Sequence, residues 1–376
     1  MPVPGPLAGT LVVDMTRVLA GPFCTMLLAD LGARVVKVEP PAGDDARRIG
    51  PFVDGVSAYF ASLNRGKESV ALDLKDPADR EVFERIVARA DVLVENFRPG
   101  VMQRLGYGWE ALHDQHPSLV LASVSGFGQT GPYAERPAYD VIVQAMGGMM
   151  SLTGQPGGPP TRVGSSIGDI GAGLFACVGI QAALWEAART GVGRRVDVAM
   201  LDCQVAMLEN AIARYRASGE VPTPLGTRHP SIAPFEALRA SDGHVVVAAG
   251  NDALFEALCG AIGRPELARD PRFASNASRM ENVEELAAVL EATLATGSVA
   301  SWLERIGAAG VPCGPLNDVA QVLEDPQVHA RNMVVRADAF EIAGNPIKLS
   351  GIADPATRTP APALDGNRAS LLAEFG

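Results

Sequence analysis

The chain has 376 residues, long enough at about 150 residues per domain for two or three domains with ample cores. With 47% hydrophobic and 20% charged residues, intrinsic disorder is excluded as its dominant state, and a net charge of −11 repels nucleic acid and anionic lipid surfaces. An anionic small ligand would need a local cluster of cations set against that field.

The segment from Met1 to Val12 has neither a basic region nor a long apolar run, so no secretory signal and a cytoplasmic location are expected. LVVDMT (11 to 16) predicts a short strand, PFCTMLLADLG a helix with Pro22 in its first turn and Gly32 at its stop, and RVVKVE (34 to 39) a second strand, together one βαβ unit. SVALDL (69 to 74) starts another unit, followed by a helix with Asp76 as N-cap, Pro77 at its first position and Val82, Phe83, Ile86 and Val87 on one face. It ends in the strand DVLVEN (91 to 96). A helix near Val101 to Leu105 and a buried strand LVLASVS (119 to 125) complete a pattern that predicts an open parallel sheet covered by helices on both faces.

From Gly171 to Thr190 a helix is expected with Gly171, Gly173, Ala176, Gly179, Ala183 and Ala187 as a stripe of small residues, suited to close backbone packing. Its apolar part, Ile170 to Trp185, is shorter than the roughly 20 residues a bilayer needs and predicts a buried helix. VDVAML and a second helix to Arg216 follow. The proline-rich stretch 219 to 234 reads as a linker, after which DGHVVVAAG (242 to 250) and helices around 252 to 262, 281 to 295 and 298 to 309 predict a smaller α+β domain. The tail from Pro346 to Pro362 is expected to lie extended across another surface.

Cys24, Cys177, Cys203, Cys259 and Cys313 are scattered and never in CxxC spacing, so neither a disulfide framework nor a zinc site is expected. His113 and His116 read as a solvated helix end, and no metal site is expected.

GFGQTG (126 to 131) matches GxGxxG after a strand, yet the place for the ribose-binding acid holds Ala145 to Met150, so a glycine-rich turn is the better reading. Asp169 stands between glycines at the start of the small-residue helix. An N-cap and a site carboxylate weigh about evenly there, with Gly168 and Gly171 expected to leave space for a ligand. Arg17, Lys37, Arg47, Arg48, Arg65, Lys67, Lys75, Arg98 and Arg104 all fall in the first 104 residues, several just beyond strand ends where open α/β sheets bind ligands. Each alone is a solvated surface group; as a set they favour an anionic ligand.

With these residues in place, TRVLAGPFCTMLLADLGARVVKVEPP, GDDARRIGP, NRGKESVALDLK, DVLVENFRPGVMQRLG, SGFGQTGPY, GPPTRVGSSIGDIGAG, TGVGRRVDVAMLD, HPSIAPFEA and GVPCGPLNDV resemble the family III CoA-transferases in order along nearly the whole chain. The resemblance implies a Rossmann-like large domain (1 to 218), the linker 219 to 234, a small domain (235 to 325) and a return segment (326 to 376), with two chains threaded as interlocked rings in a homodimer. It implies that Asp169 is the nucleophile that passes CoA through anhydride and aspartyl-CoA thioester intermediates. Coenzyme A thioester is then a co-substrate with no permanently bound cofactor, and the partners are a small acyl-CoA and a carboxylic acid, without nucleic acid or membrane.

The resemblance places CoA contacts at Val18, Ala20, Leu72, Asp73, Leu74, Lys75, Asn96, Phe97, Arg98, Arg104 and Tyr139. A reference pKa near 3.9 predicts that Asp169 is already ionised at neutral pH, without a histidine base. Formyl-CoA transferase has a glutamine where this chain has Leu19, which argues against formate and oxalate. Only Gly250, in AAGND, matches the family's glycine-rich lid. The related α-methylacyl-CoA racemases use a histidine where this chain has Tyr139 in AYD, and a phenol with pKa near 10 is a poor base, so transfer outranks racemisation. A CoA-binding protein without catalysis is the other alternative. GDDARRIGPF, GQTGPY, RHPSIAPFEA and AAGN resemble most the branch that uses succinyl-CoA and a dicarboxylic or hydroxy-dicarboxylic acid. Arg47, Arg48 or His229 is expected to hold the acceptor's second carboxylate.

Overall fold

Short β-branched runs alternating with amphipathic segments fold as alternating strands and helices. The computed structural model describes residues 5–376, and the chain divides into two units. The first takes Met1–Met150 as far as described, Arg162–Glu220 and Pro326–Gly376; the second takes Ser151–Thr161 and Val221–Asp325. Ser151–Thr161, expected in the large domain, thus groups with the second unit.

The first unit is built on six strands: β1 (Leu11–Asp14), β2 (Arg34–Glu39), β3 (Lys67–Ala71), β4 (Val92–Glu95), β5 (Val120–Ser125) and β6 (Arg195–Ala199). They lie in the order β3-β2-β1-β4-β5-β6 and every pairing is parallel, with Val12 opposite both Val35 and Val92. The winding direction reverses between β1 and β4, so the loops leaving those two strands diverge and open a crevice at their carboxyl ends. β3 stops at Ala71, and LDLK is a turn rather than strand. The Asp73 carboxylate accepts the Lys75 N–H at 3.0 Å while Asp79 accepts the Asp73 N–H at 2.8 Å, a local side-chain alternative to the ladder.

Helices cover both faces: α1 (Ala20–Asp30), α2 (Ala58–Asn64), α3 (Pro77–Val87), α4 (Asp140–Met146), α5 (Ile167–Thr190) and α6 (Met200–Ala206) are those that bear on the site. Because successive strand residues face opposite sides, Val13, Val36 and Leu93 pack with Phe83 and Ile86 of α3, while Val12, Val35, Val92 and Val120 pack with Leu27 and Leu28 of α1 and Ala172, Ala176 and Ile180 of α5. The small-residue stripe does serve close packing: a Cβ at Gly173 would lie 2.7 Å from the Ala20 carbonyl oxygen. Only one face of α5 is buried, however. The helix has the length and mean hydropathy (1.6) of a membrane span, and Leu174, Phe175, Val178 and Trp185 are exposed on it. The return segment brings Asp365 and Asn367 to the edge strand β3, where they accept the Ala71 and Ser69 N–H groups at 2.7 and 3.0 Å.

The second unit carries an antiparallel sheet of β7 (Phe235–Arg239), β8 (His244–Ala248) and β9 (Cys313–Pro315), with helices α7 (Asp252–Ala261), α8 (Val283–Leu294) and α9 (Val299–Ala308). Leu238, Val245, Val247, Phe255, Leu290, Trp302 and Ile306 form its core, and residues 219–234 hold neither helix nor strand.

Candidate active site

The crevice between β1 and β4 opens into a cavity of about 280 Å³. Its walls are Arg17, Val18, Leu19 and Ala20 after β1; Asp45; Asn96, Phe97, Arg98 and Pro99 after β4; Val124, Ser125 and Gly126 at the end of β5; Ala134 and Arg136 to Tyr139; Met200 at the head of α6; and Asp169. Asn96 is the clamp between the first two loops. Its side-chain oxygen accepts the Arg17 N–H and its amide donates to the Arg17 carbonyl, both at 2.8 Å, which uses the amide on the protein itself.

Asp169 is the third residue of α5, which begins at Ile167 and not at Gly171 as expected, with Ser166 in the N-cap place. The N-cap reading of Asp169 is thereby removed. Burial, and after it the neighbouring Asp140 carboxylate, push the Asp169 carboxyl up to about 7. The raised value departs from the expectation of an ordinary carboxyl, fully ionised well below neutral pH. The flanking glycines make room for protein rather than ligand. A Cβ on Gly168 would meet Val143 at 2.8 Å and Asp140 at 3.0 Å, and one on Gly171 would meet Met207 at 2.6 Å.

Asp140, the last residue of AYD, is a functional neighbour that the sequence reading of Tyr139 does not reveal. It is buried at 7% exposure, and its carboxylate accepts the Gly168 N–H and the Gln144 amide at 2.8 Å and lies 3.3 Å from Arg162. Asp140 thus anchors the first turn of α5 and sets the charge felt by Asp169. Tyr59 on α2 belongs to the same surroundings: burial first, then Asp169, Asp44 and Asp140, push its phenol up to about 12, so it stays a neutral hydroxyl. Nothing in its sequence context marked it.

Of the residues expected to meet CoA, Val18, Ala20, Asn96, Phe97, Arg98 and Tyr139 line the cavity with Asp169, and Tyr139 is 74% exposed there. Leu72, Asp73, Leu74, Lys75 and Arg104 do not; Leu72 is buried in the core beneath α3, and the Asp73 carboxylate is held in its own turn. Arg136, unforeseen, lies over the Tyr133 ring at 3.9 Å and joins Arg17 and Arg98 as a third guanidinium on the wall. Three guanidiniums lining one cavity, with the Asp45 carboxylate 3.9 Å from Arg17, form the local cation cluster that an anionic ligand of so acidic a chain requires.

Arg47 is not free to hold a substrate. It forks onto Glu39 at 2.8 and 2.6 Å, donates to the Pro362 carbonyl at 3.1 Å and lies over Phe60 at 3.7 Å. Arg47→Ala would leave the Glu39 carboxylate buried and unpaired, so a loss of about 3 kcal/mol or more in urea unfolding is expected with little change in acceptor KM. Arg48 points to Asp45 and the Ala42 carbonyl and does not line the cavity. His229 and Gly250 belong to the second unit, where His229 Nδ1 accepts the Ser231 N–H at 3.1 Å. Four cysteines are buried and all five are free, and among the described residues no group of three or more His, Cys, Asp or Glu side chains is arranged to hold a metal.

The sequence profile of CoA-transferase family III matches residues 7–368. The chain belongs to that family. An acetyl-CoA:oxalate CoA-transferase of Acetobacter aceti is 52% identical over 99% of this chain and 96% of its own length, and a succinyl-CoA:mesaconate CoA-transferase of Haloarcula hispanica is 42% identical over 99% and 97%. A crystal structure of a CAIB/BAIF family protein from Brucella suis superposes with a TM-score of 0.89 at 41% identity over all of both chains. This family III CoA-transferase is an enzyme whose co-substrate is a CoA thioester.

Proposed function

We propose that this CoA-transferase moves CoA from a short acyl-CoA donor, succinyl-CoA first, to a dicarboxylic or hydroxy-dicarboxylic acid, with Asp169 as nucleophile. The observation that carries the proposal is a half-buried carboxyl with a raised pKa in a crevice lined by Arg17, Arg98 and Arg136 at the reversal point of a Rossmann-like sheet. An Asp169 oxygen attacks the thioester carbonyl, the C–S bond breaks, and CoA thiolate leaves behind a mixed anhydride. The thiolate then attacks the Asp169 carbonyl carbon and expels the donor acid, giving aspartyl-CoA thioester. The acceptor carboxylate displaces the thiolate to form a second anhydride, and the thiolate takes the acceptor acyl group and frees Asp169. No proton is consumed in the cycle. The chain's contribution is to place Asp169 within reach of the thioester, where effective molarities of roughly 10⁵ M or more are available.

Relatives named for oxalate, mesaconate and glutarate support a dicarboxylate acceptor, and the oxalate relative places oxalate among the acceptors to be tested despite Leu19. Tyr139, exposed and in the place of the racemases' histidine, keeps racemisation the weaker reading. The exposed apolar face of α5 and the re-entry of the chain into the first unit at Pro326 support a homodimer of interlocked rings, which sedimentation reads directly. The net charge of −11 carries forward the expectation of an enzyme without a nucleic-acid or membrane partner. The test is a panel of oxalate, mesaconate, glutarate, malate and citramalate with succinyl-CoA and acetyl-CoA, with mass spectrometry of the peptide carrying residue 169. A covalent CoA adduct on that peptide and at least one new acyl-CoA are expected. CoA binding with neither adduct nor product would make the protein a binder.

A further inference from the structure

We infer that the buried ion pair of Lys37 and Asp44 is a positioning device for the loop Thr16–Ala20, an inference that rests on the cavity being the acyl-CoA site. That loop supplies four consecutive wall residues, Arg17 to Ala20. Its backbone is an awkward one, because Val18 has φ +66°, a left-handed conformation that a β-branched residue adopts only when its surroundings over-determine it.

The surroundings that do so are side chains, taken almost group by group. Asp14 accepts the Thr16 N–H at 2.8 Å, Lys37 Nζ donates to the Thr16 carbonyl at 2.7 Å, Asn96 takes both polar groups of Arg17, and Asp44 Oδ1 accepts the Val18 N–H at 3.1 Å. Asp44 is held in turn. Its own N–H donates to Glu39 at 2.9 Å, its Oδ1 also accepts the Ala46 N–H at 2.9 Å, and Lys37 Nζ lies 3.0 Å from its Oδ2. Both side chains are wholly buried, and neither lines the cavity. They reach it through the loop and through the turn that Asp44 caps, whose Asp45 also lines the cavity.

A buried ion pair adds little stability over apolar residues of the same size, whereas an acceptor aimed at one N–H selects a conformation. The Lys37 ammonium lies against one oxygen of Asp44, and the other oxygen is thereby left aimed at the Val18 N–H. The same geometry explains why Lys37, counted in the sequence among cations available to a ligand, is not one: it is consumed beneath the loop.

Two double variants separate charge from acceptor. Lys37→Met/Asp44→Asn and Lys37→Met/Asp44→Leu each remove both charges together, and only the first keeps an oxygen for the Val18 N–H. The leucine variant is expected to raise the donor acyl-CoA KM about tenfold or more over the asparagine variant, with the acceptor KM within about twofold and a similar urea midpoint. The asparagine variant, which loses the Lys37 donor to the Thr16 carbonyl but keeps the acceptor for Val18, should fall between wild type and the leucine variant. Equal donor KM in the two, or a parallel decline of donor KM, acceptor KM and urea midpoint, would overturn the proposal. Should the leucine variant not fold, hydrogen exchange decides: a Val18 amide that exchanges as fast in the wild type as an unstructured one refutes the hold, and slow exchange in the wild type and the asparagine variant upholds it. Arg98→Ala serves as the separate control on the cavity. If it leaves donor KM unchanged, the acyl-CoA reading fails; if it raises donor KM while the two doubles agree, only the positioning role fails.

Discussion

Asp169→Asn is expected to lower kcat/KM for CoA transfer by about 10³-fold or more while leaving the dissociation constant of the acyl-CoA donor within a few-fold. The amide fills the same space in the first turn of α5 but cannot form the anhydride, so chemistry is lost and binding through the three guanidiniums is not. Steady-state kinetics with succinyl-CoA, and calorimetric titration of the same variant with CoA, read the two quantities separately. A variant that turns over at the wild-type rate would remove Asp169 from the mechanism. The substitution has a second expected consequence, in stability. The folded pKa of about 7 lies above the unfolded value near 3.9, so the Asp169 contribution is fully present below pH 4 and is lost as pH rises through 7. Above pH 7 Asp169→Asn should therefore unfold at higher urea than wild type, the usual sign of a nucleophile held against its own stability.

The second large effect is on pH. With the free Asp169 carboxyl at about 7, kcat/KM should rise with pH through that value and level off above it, because only the anion attacks. Burial is the larger cause and Asp140 the next, so Asp140→Asn removes one of two terms that disfavour the anion. The midpoint is expected to move down by about one pH unit and to stop well short of an ordinary carboxyl, since burial remains. Activity at pH 6 relative to pH 8 then increases several-fold. Asparagine keeps an oxygen for the Gly168 N–H, so the entry to α5 is retained. A midpoint unmoved in the variant would show that Asp140 is only an anchor.

Most of the secondary structure was legible, because β-branched runs and 3.6-residue periodicity are local patterns. β1, β2, β4 and β5, the Asp76-capped helix and the helices of the second unit all lie within a few residues of expectation. The exception at Leu72 to Lys75 is instructive. Alternating apolar residues there suggested strand, and the side chains of Asp73 and Asp79 turned the backbone aside. Asp169 and six of the eleven expected CoA contacts meet in one cavity. Most of these residues follow strand ends, while Asp169 and Tyr139 stand at helix starts, and both kinds of boundary follow from pattern.

The charges were another matter. Arg47 looked available and is paired with Glu39; Lys37 looked available and lies buried against Asp44; Arg136 looked like one loop cation among many and stands on the cavity wall. By itself the sequence determined the parallel α/β order, the family, and the carboxyl at the head of a long helix. Only the tertiary structure decided which cations remain for a ligand, that Gly168 and Gly171 admit protein rather than substrate, and that burial and Asp140 push the Asp169 carboxyl up from its ordinary value. The reason is that pairing and desolvation depend on which distant residues meet and on how much water they exclude, and neither quantity is carried by any local run of residues.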